Sequence, residues 1–118
     1  MCHNIKIIAK VKSGQLFMCS QCQTYHLEFN NIYLEFNKKE FEQFKSYILE
    51  IEMDYWECKY ARSKIKRKIP IPSIQSNLVL MFKRQEIKEL RVLLSGASKD
   101  VFNTFLSLND IDYTLILN

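Results

Sequence analysis

"NIYLEFNKKEFEQFKSYILE" (residues 31–50) returns 46 positions later, without gaps, as "NLVLMFKRQEIKELRVLLSG" (residues 77–96). Asn31/Asn77, Leu34/Leu80, Phe36/Phe82 and Glu40/Glu86 are identical, and most of the remaining apolar and basic positions are conservative pairs. Each copy reads as a strand running straight into a helix. Ile32, Leu34 and Phe36 alternate as in a half-buried strand, and Phe41, Phe44, Ile48, Ile51 and Tyr55 then recur at spacings of three and four. Asn37 and Glu40 suit a capping box at the junction. In the second copy Leu78, Leu80 and Phe82 form the strand, Ile87, Leu90 and Leu94 the helix stripe, and Gly96 its C-cap. The pattern predicts an internal repeat, spanning about 26–50 and 72–96.

Working outward, each strand has a partner before it. In "YHLEFNNIYLEF" the Asn30-Asn31 pair tolerates positive φ and suits a two-residue hairpin turn. That register sets Phe29 opposite Ile32, Leu27 opposite Leu34 and Tyr25 opposite Phe36, so one face is wholly apolar and His26 falls on the other. The corresponding strand of the second half is "KIKRKIPIPSI", where Pro70 and Pro72 argue for an edge. "IKIIAKVKSGQLFMC" reads as a further hairpin turning at Ser13-Gly14; residues 98–108 predict a third helix and "IDYTLIL" a closing strand. The expected fold is α+β: mostly antiparallel sheet with two or three helices packed on one face.

Composition bounds the chemistry. With 118 residues, 47% of them hydrophobic, the chain fits one domain with a real core. Only two glycines are present, so no glycine loop is available to cradle phosphates. No segment approaches the length of an apolar membrane span, and the N-terminus lacks a signal-peptide core, which predicts a cytoplasmic protein without a membrane partner. In a reducing compartment Cys2, Cys19, Cys22 and Cys58 read as thiols or metal ligands before disulfides.

"MCSQCQTYH" (residues 18–26) is the one stretch with metal-ligand spacing. A C-x-x-C turn aims two sulfurs at one ion, and zinc completes its tetrahedron with two further soft or borderline ligands. If Lys12 and Gln15 flank the first turn, residues 2 and 3 lie opposite roughly 24 and 25, within reach of the motif. The expected set is Cys2, Cys19, Cys22 and His26, with His3 in reserve as a ligand or supporting group. A closed four-ligand site would be structural; three ligands and a water would admit hydrolysis, although no carboxylate beyond Glu28 and Glu35 lies near. Cys22 with His26 offers a nucleophile–base pair without an orienting third group, and the helical context of a thioredoxin-type motif is absent. Ordinary thiols and surface histidines are the plain alternative.

The second lead is "DYWECKYARSKIKRKIPIP" from Asp54. Lys59, Arg62, Lys64, Lys66, Arg67 and Lys68 make six of ten residues basic, more than the whole chain's net charge of +4. Together with Tyr55, Trp56 and Tyr60 they are compatible with single-stranded nucleic acid, phosphates taken by the cations and bases stacked on the rings. An alternating strand would put Lys64, Lys66 and Lys68 on one face. A solvated, charge-protected sheet edge or a protein-contact face explains the same residues.

"MCHN", "GQLFMCSQCQTYHLEFNNIYLEF", "DYWE" and "RKIPIPSIQSNLVLMFKRQE" together resemble a small family of uncharacterised proteins from Bacteroidota bacteria, a domain of unknown function. The resemblance runs through about Leu94. It implies a bacterial cytoplasmic origin and no activity. The functional expectation is therefore a non-enzymatic interaction module containing a structural zinc ion. A single-stranded RNA-binding protein using residues 55–68 is the first alternative and a metal-dependent hydrolase the second. The partner is an unknown protein or nucleic acid, and the Phe- and Leu-rich helix stripe could equally bury a homodimer contact.

Overall fold

The computed structural model of the protein describes residues 5–96. The expectations for Cys2, His3, a helix over 98–108 and a strand at 111–117 lie outside the described residues. Four antiparallel strands, β1 (Ile5–Val11), β2 (Gly14–Cys19), β3 (Thr24–Phe29) and β4 (Ile32–Phe36), are joined in chain order by short turns. After β4 come α1 (Lys38–Glu50), α2 (Met53–Lys59), the separate hairpin of β5 (Ile69–Pro72) and β6 (Val79–Phe82), and α3 (Arg84–Ser95). The α+β class is as expected.

The β3–β4 hairpin has the register that the sequence implies. Phe29 faces Ile32, Leu27 faces Leu34 and Tyr25 faces Phe36, and Asn30 takes a φ of 52° in the turn. These pairs line the face that α1 and α3 cover, where Leu16, Leu27, Phe29, Phe41, Ile48, Ile69, Ile71, Ile87, Leu90 and Leu93 are fully buried. Each such side chain contributes about 1.5–3 kcal/mol relative to exposure. Tyr25 stacks on Phe41 with centroids 4.0 Å apart, and Phe36 on Phe44 at 4.9 Å, so α1 is docked by aromatic contacts to β3 and β4.

The start of α1 is capped as read. Asn37 Oδ1 accepts the Glu40 N–H at 2.8 Å while Glu40 accepts the Asn37 N–H at 2.9 Å. At the second junction the buried Glu86 accepts the Lys83 N–H at 2.8 Å and also binds Arg67 and Asn30. α1 begins at 38 and α3 at 84, the same 46-residue offset that separates the two sequence segments.

The structure departs from expectation in four places. The β1–β2 turn is Lys12-Ser13, because Gly14 pairs with Val11 and sits within the strand. A bulge at Ile8 then shifts the register again, so Ile5 faces Cys19, and the alignment that set residues 2 and 3 opposite 24 and 25 does not hold. The first helix does not run on to Tyr55. It ends at Glu50, where Ile51 turns extended, and the Arg91 guanidinium donates to the Ile48 and Ile51 carbonyls at 3.0 and 3.1 Å. Those bonds satisfy carbonyls that the helix end leaves orphaned.

Residues 61–68 form turns, and β5 starts only at Ile69, so Lys64, Lys66 and Lys68 share no strand face. Finally, Gly96 caps α3 with an ordinary φ of −63°, so it is not needed for left-handed backbone. Its role is space, since a Cβ there would lie 2.5 Å from that of Ala9 on β1.

Candidate functional site

The sheet face opposite the core carries Cys19, His26, Tyr33 and Glu35. The pairings Phe17–His26–Glu35 and Cys19–Thr24 put all of them on that side, with Cys19 diagonal to His26, about 7 Å away between backbones. Cys19 ends β2 as a fully buried free thiol. Cys22 lies exposed in the turn that follows and is disulfide-bonded. The turn is closed by Gln23 at a φ of 52° and by the Thr24 hydroxyl donating to the Cys22 carbonyl at 3.2 Å. The C-x-x-C thus lies in a strand-end turn.

His26 is only 9% exposed, its ring stacked on Phe17 with centroids 4.9 Å apart. Its Nδ1 lies 2.7 Å from the Tyr33 hydroxyl, and that hydroxyl donates to Glu35 Oε1 at 2.8 Å. Tyr33 has a single proton, which it gives to Glu35. Its oxygen therefore accepts from His26, so Nδ1 carries a hydrogen and, in the neutral ring, Nε2 is the nitrogen with the lone pair. Desolvation and then the Glu35 carboxylate raise the Tyr33 pKa above its usual value, so the hydroxyl keeps that proton. Nε2 is buried and has no hydrogen-bond partner among the described residues. A buried acceptor left unsatisfied costs about 1–3 kcal/mol, so this atom calls for a ligand. Among the described residues no three His, Cys, Asp or Glu side chains cluster as a metal site; Cys2 lies outside that range.

The sequence reading missed Tyr33 and Glu35 as supports of His26. The signal was available, because the hairpin register that it used sets Glu35 directly opposite His26.

The basic segment is organised inward. Lys68 Nζ donates to the Tyr60, Ser63 and Ile65 carbonyls at 2.9, 3.0 and 2.9 Å, stapling the 60–68 loop. Arg67 forms a two-pronged pair with Glu86 at 3.0 and 3.2 Å. Lys59 Nζ sits 5.9, 5.1 and 5.8 Å from the centroids of Tyr55, Trp56 and Tyr60. Trp56 packs on the core and stacks with Tyr60, while Tyr55 is 56% exposed. Arg84, from α3, pins α2 through Asp54 and Glu57. Arg62, Lys64 and Lys66 remain exposed, without a hydrogen bond or ion pair among the described residues.

No helix among the described residues is long and apolar enough to cross a membrane. No curated protein and no solved structure matches the chain. Its identity rests on one family model, which matches residues 1–118: the chain belongs to a family of unknown function, DUF6686.

Proposed function

We propose that the protein is a non-enzymatic interaction module whose hairpin end is held by a structural zinc ion, with Cys2, Cys19, Cys22 and His26 as ligands. The observation that carries this reading is the buried Nε2 of His26, without a partner among the described residues, while Nδ1 is engaged by the Tyr33–Glu35 chain. Metal-bound histidines typically donate their other N–H to such a hydroxyl or carboxylate. The fully buried Cys19 thiol, diagonal to His26 on the same face, supports it; Cys22, three residues on in the turn, joins the set only once its disulfide is reduced. Cys22 binds zinc as the reduced thiolate. Four protein ligands close the coordination sphere, so the ion would tie elements together and leave no position for an activated water.

A nucleic-acid surface would rest on Arg62, Lys64, Lys66 and Tyr55, since Arg67 and Lys68 are committed to Glu86 and to loop carbonyls. Its test is whether oligonucleotide binding weakens steeply with salt, as counterion release requires.

The test of the zinc reading is elemental mass spectrometry of reduced, purified protein together with thiol titration. About one zinc per chain is expected, with exposed Cys58 reacting at once and the other three of the four cysteines only after chelation. Zinc-free protein with all four thiols freely reactive would sink the proposal.

A further inference from the structure

An apolar cleft of about 380 Å³ lies between β4, the first turns of α1 and the β5–β6 hairpin. Its walls include Leu34, Phe36, Phe44, Ile71, Leu78 and Leu80. Its volume is within the range of about 300–1,000 Å³ usual for ligand pockets. Two further observations say what shape of ligand fits.

The first is a bare sheet edge. Among the described residues β4 is the last strand of its sheet. The two-residue turn makes Phe29–Ile32 the closing hydrogen-bonded pair, so Ile32, Leu34 and Phe36 bond to β3 and the N–H and C=O groups of Tyr33 and Glu35 point outward. No backbone bond to them from another described element exists. Exposed edges are commonly guarded by proline, lysine or a bulge. Across the cleft, β5 is guarded in this way, because Pro70 and Pro72 have no N–H to offer. β4, reading Ile-Tyr-Leu-Glu-Phe, carries none of these protections.

The second is charge. Glu35 and Glu40 border the cleft with no Lys or Arg beside them, Glu40 at its α1 wall and Glu35 at the β4 edge with its side chain turned to the other face of the sheet. Leu34 and Phe36 face inward to the cleft, while Glu35 faces the opposite side of the sheet with its side chain 57% exposed.

We infer that the β4 edge is a docking site for an extended peptide segment of a partner protein, apolar at every second residue and Lys- or Arg-bearing between. Such a segment adds a fifth strand to the sheet. Its main chain bonds to Tyr33 and Glu35, its apolar side chains enter the cleft beside Leu34 and Phe36, and its cations meet Glu35. This names a partner class for the interaction module proposed above and rests on that reading for the absence of catalysis. Zinc content is measured on the same preparation, so either reading can fail alone.

The experiment uses the full chain and fluorescein-labelled hexapeptides. Alternating Lys-Val is the probe, Glu-Val the charge control, and Lys-Val N-methylated at every second residue the main-chain control. Anisotropy should show Lys-Val bound, Glu-Val about tenfold weaker or worse, and one of the two N-methylated phases without binding. Amide hydrogen exchange at Tyr33 and Glu35 should slow when the Lys-Val peptide is present. Leu78→Asp, at a position 48% exposed, should weaken binding while the circular dichroism stays native. Equal binding of both peptides, insensitivity to N-methylation, or protection elsewhere on the protein would overturn the inference. So would protection of the two amides that rises with protein concentration alone, which would make a second copy the occupant.

Discussion

Lys68 and Lys66 stand two residues apart in the most basic stretch of the chain, yet exchanging each for methionine should have very different outcomes. Methionine keeps length and apolar stem but none of the ammonium donors. At Lys68 three charge-assisted bonds disappear, to the Tyr60, Ser63 and Ile65 carbonyls. A hydrogen bond to a charged group contributes about 1.5–3 kcal/mol, but these carbonyls border solvent and water takes over part of the loss, leaving about 2 kcal/mol in total. Unfolding entropy of about 2.1 cal/mol/K per residue gives roughly 0.25 kcal/mol/K for a chain of this length, so Lys68→Met should lower Tm by about 8 °C. Lys66 is exposed without such partners, and its substitution should stay within about 0.5 kcal/mol, or about 2 °C. Differential scanning calorimetry of both variants at one pH and salt concentration measures the gap. Equal Tm values for the two variants would refute the loop staple and return Lys68 to the free basic surface.

Three other outcomes follow from the geometry. Tyr33→Phe removes the hydroxyl that engages His26 Nδ1, so at the proposed zinc site chelator competition should report affinity lowered about 10–100-fold; unchanged affinity would remove His26 from the proposed ligand set. Burial, reinforced by Glu86 and only partly offset by the Ser13 hydroxyl and Lys12, raises the Glu89 pKa above 4.5. The folded state then holds that proton more tightly than the unfolded chain, so this group costs stability as pH rises from 4.5 through its folded value, and nothing below. Glu89→Gln, which keeps an acceptor for Ser13, should therefore stabilise at neutral pH and lose its advantage on acidification; urea titrations across that interval showing a constant difference would contradict it. At Gly14 an added Cβ would overlap the Glu28 carbonyl oxygen and lie 2.9 Å from Phe29 Cα. Gly14→Ala should cost about 1–3 kcal/mol by urea unfolding, and a neutral effect would show that β2 and β3 can part freely.

The two strand–helix segments, the Asn30-Asn31 turn, the β3–β4 register and the Asn37–Glu40 cap were all legible from the amino acids. Each is set within a few residues by side-chain alternation, helical spacing or a single local hydrogen bond, and such preferences are carried by the residues themselves. The placement of His26 on the outer face followed from the same alternation. Its use did not. Burial of Nε2, and the chain from Nδ1 through Tyr33 to Glu35, need the sheet assembled and Phe17 stacked on the ring from a neighbouring strand.

The basic stretch shows the limit most plainly. Six cations in ten residues read as one surface, because composition carries no direction. Folding turns Lys68 back on its own loop, sends Arg67 to a glutamate 19 residues away and sets Lys59 over three rings. In the same way a helix pattern that runs on past Glu50 is stopped by Arg91, supplied from another helix 40 residues later. What the sequence by itself determined is where elements form and which face of each is apolar, since those depend on neighbours in the chain. Which polar groups remain free for a ligand was decided only in the tertiary structure, because each is satisfied or orphaned by residues distant in sequence.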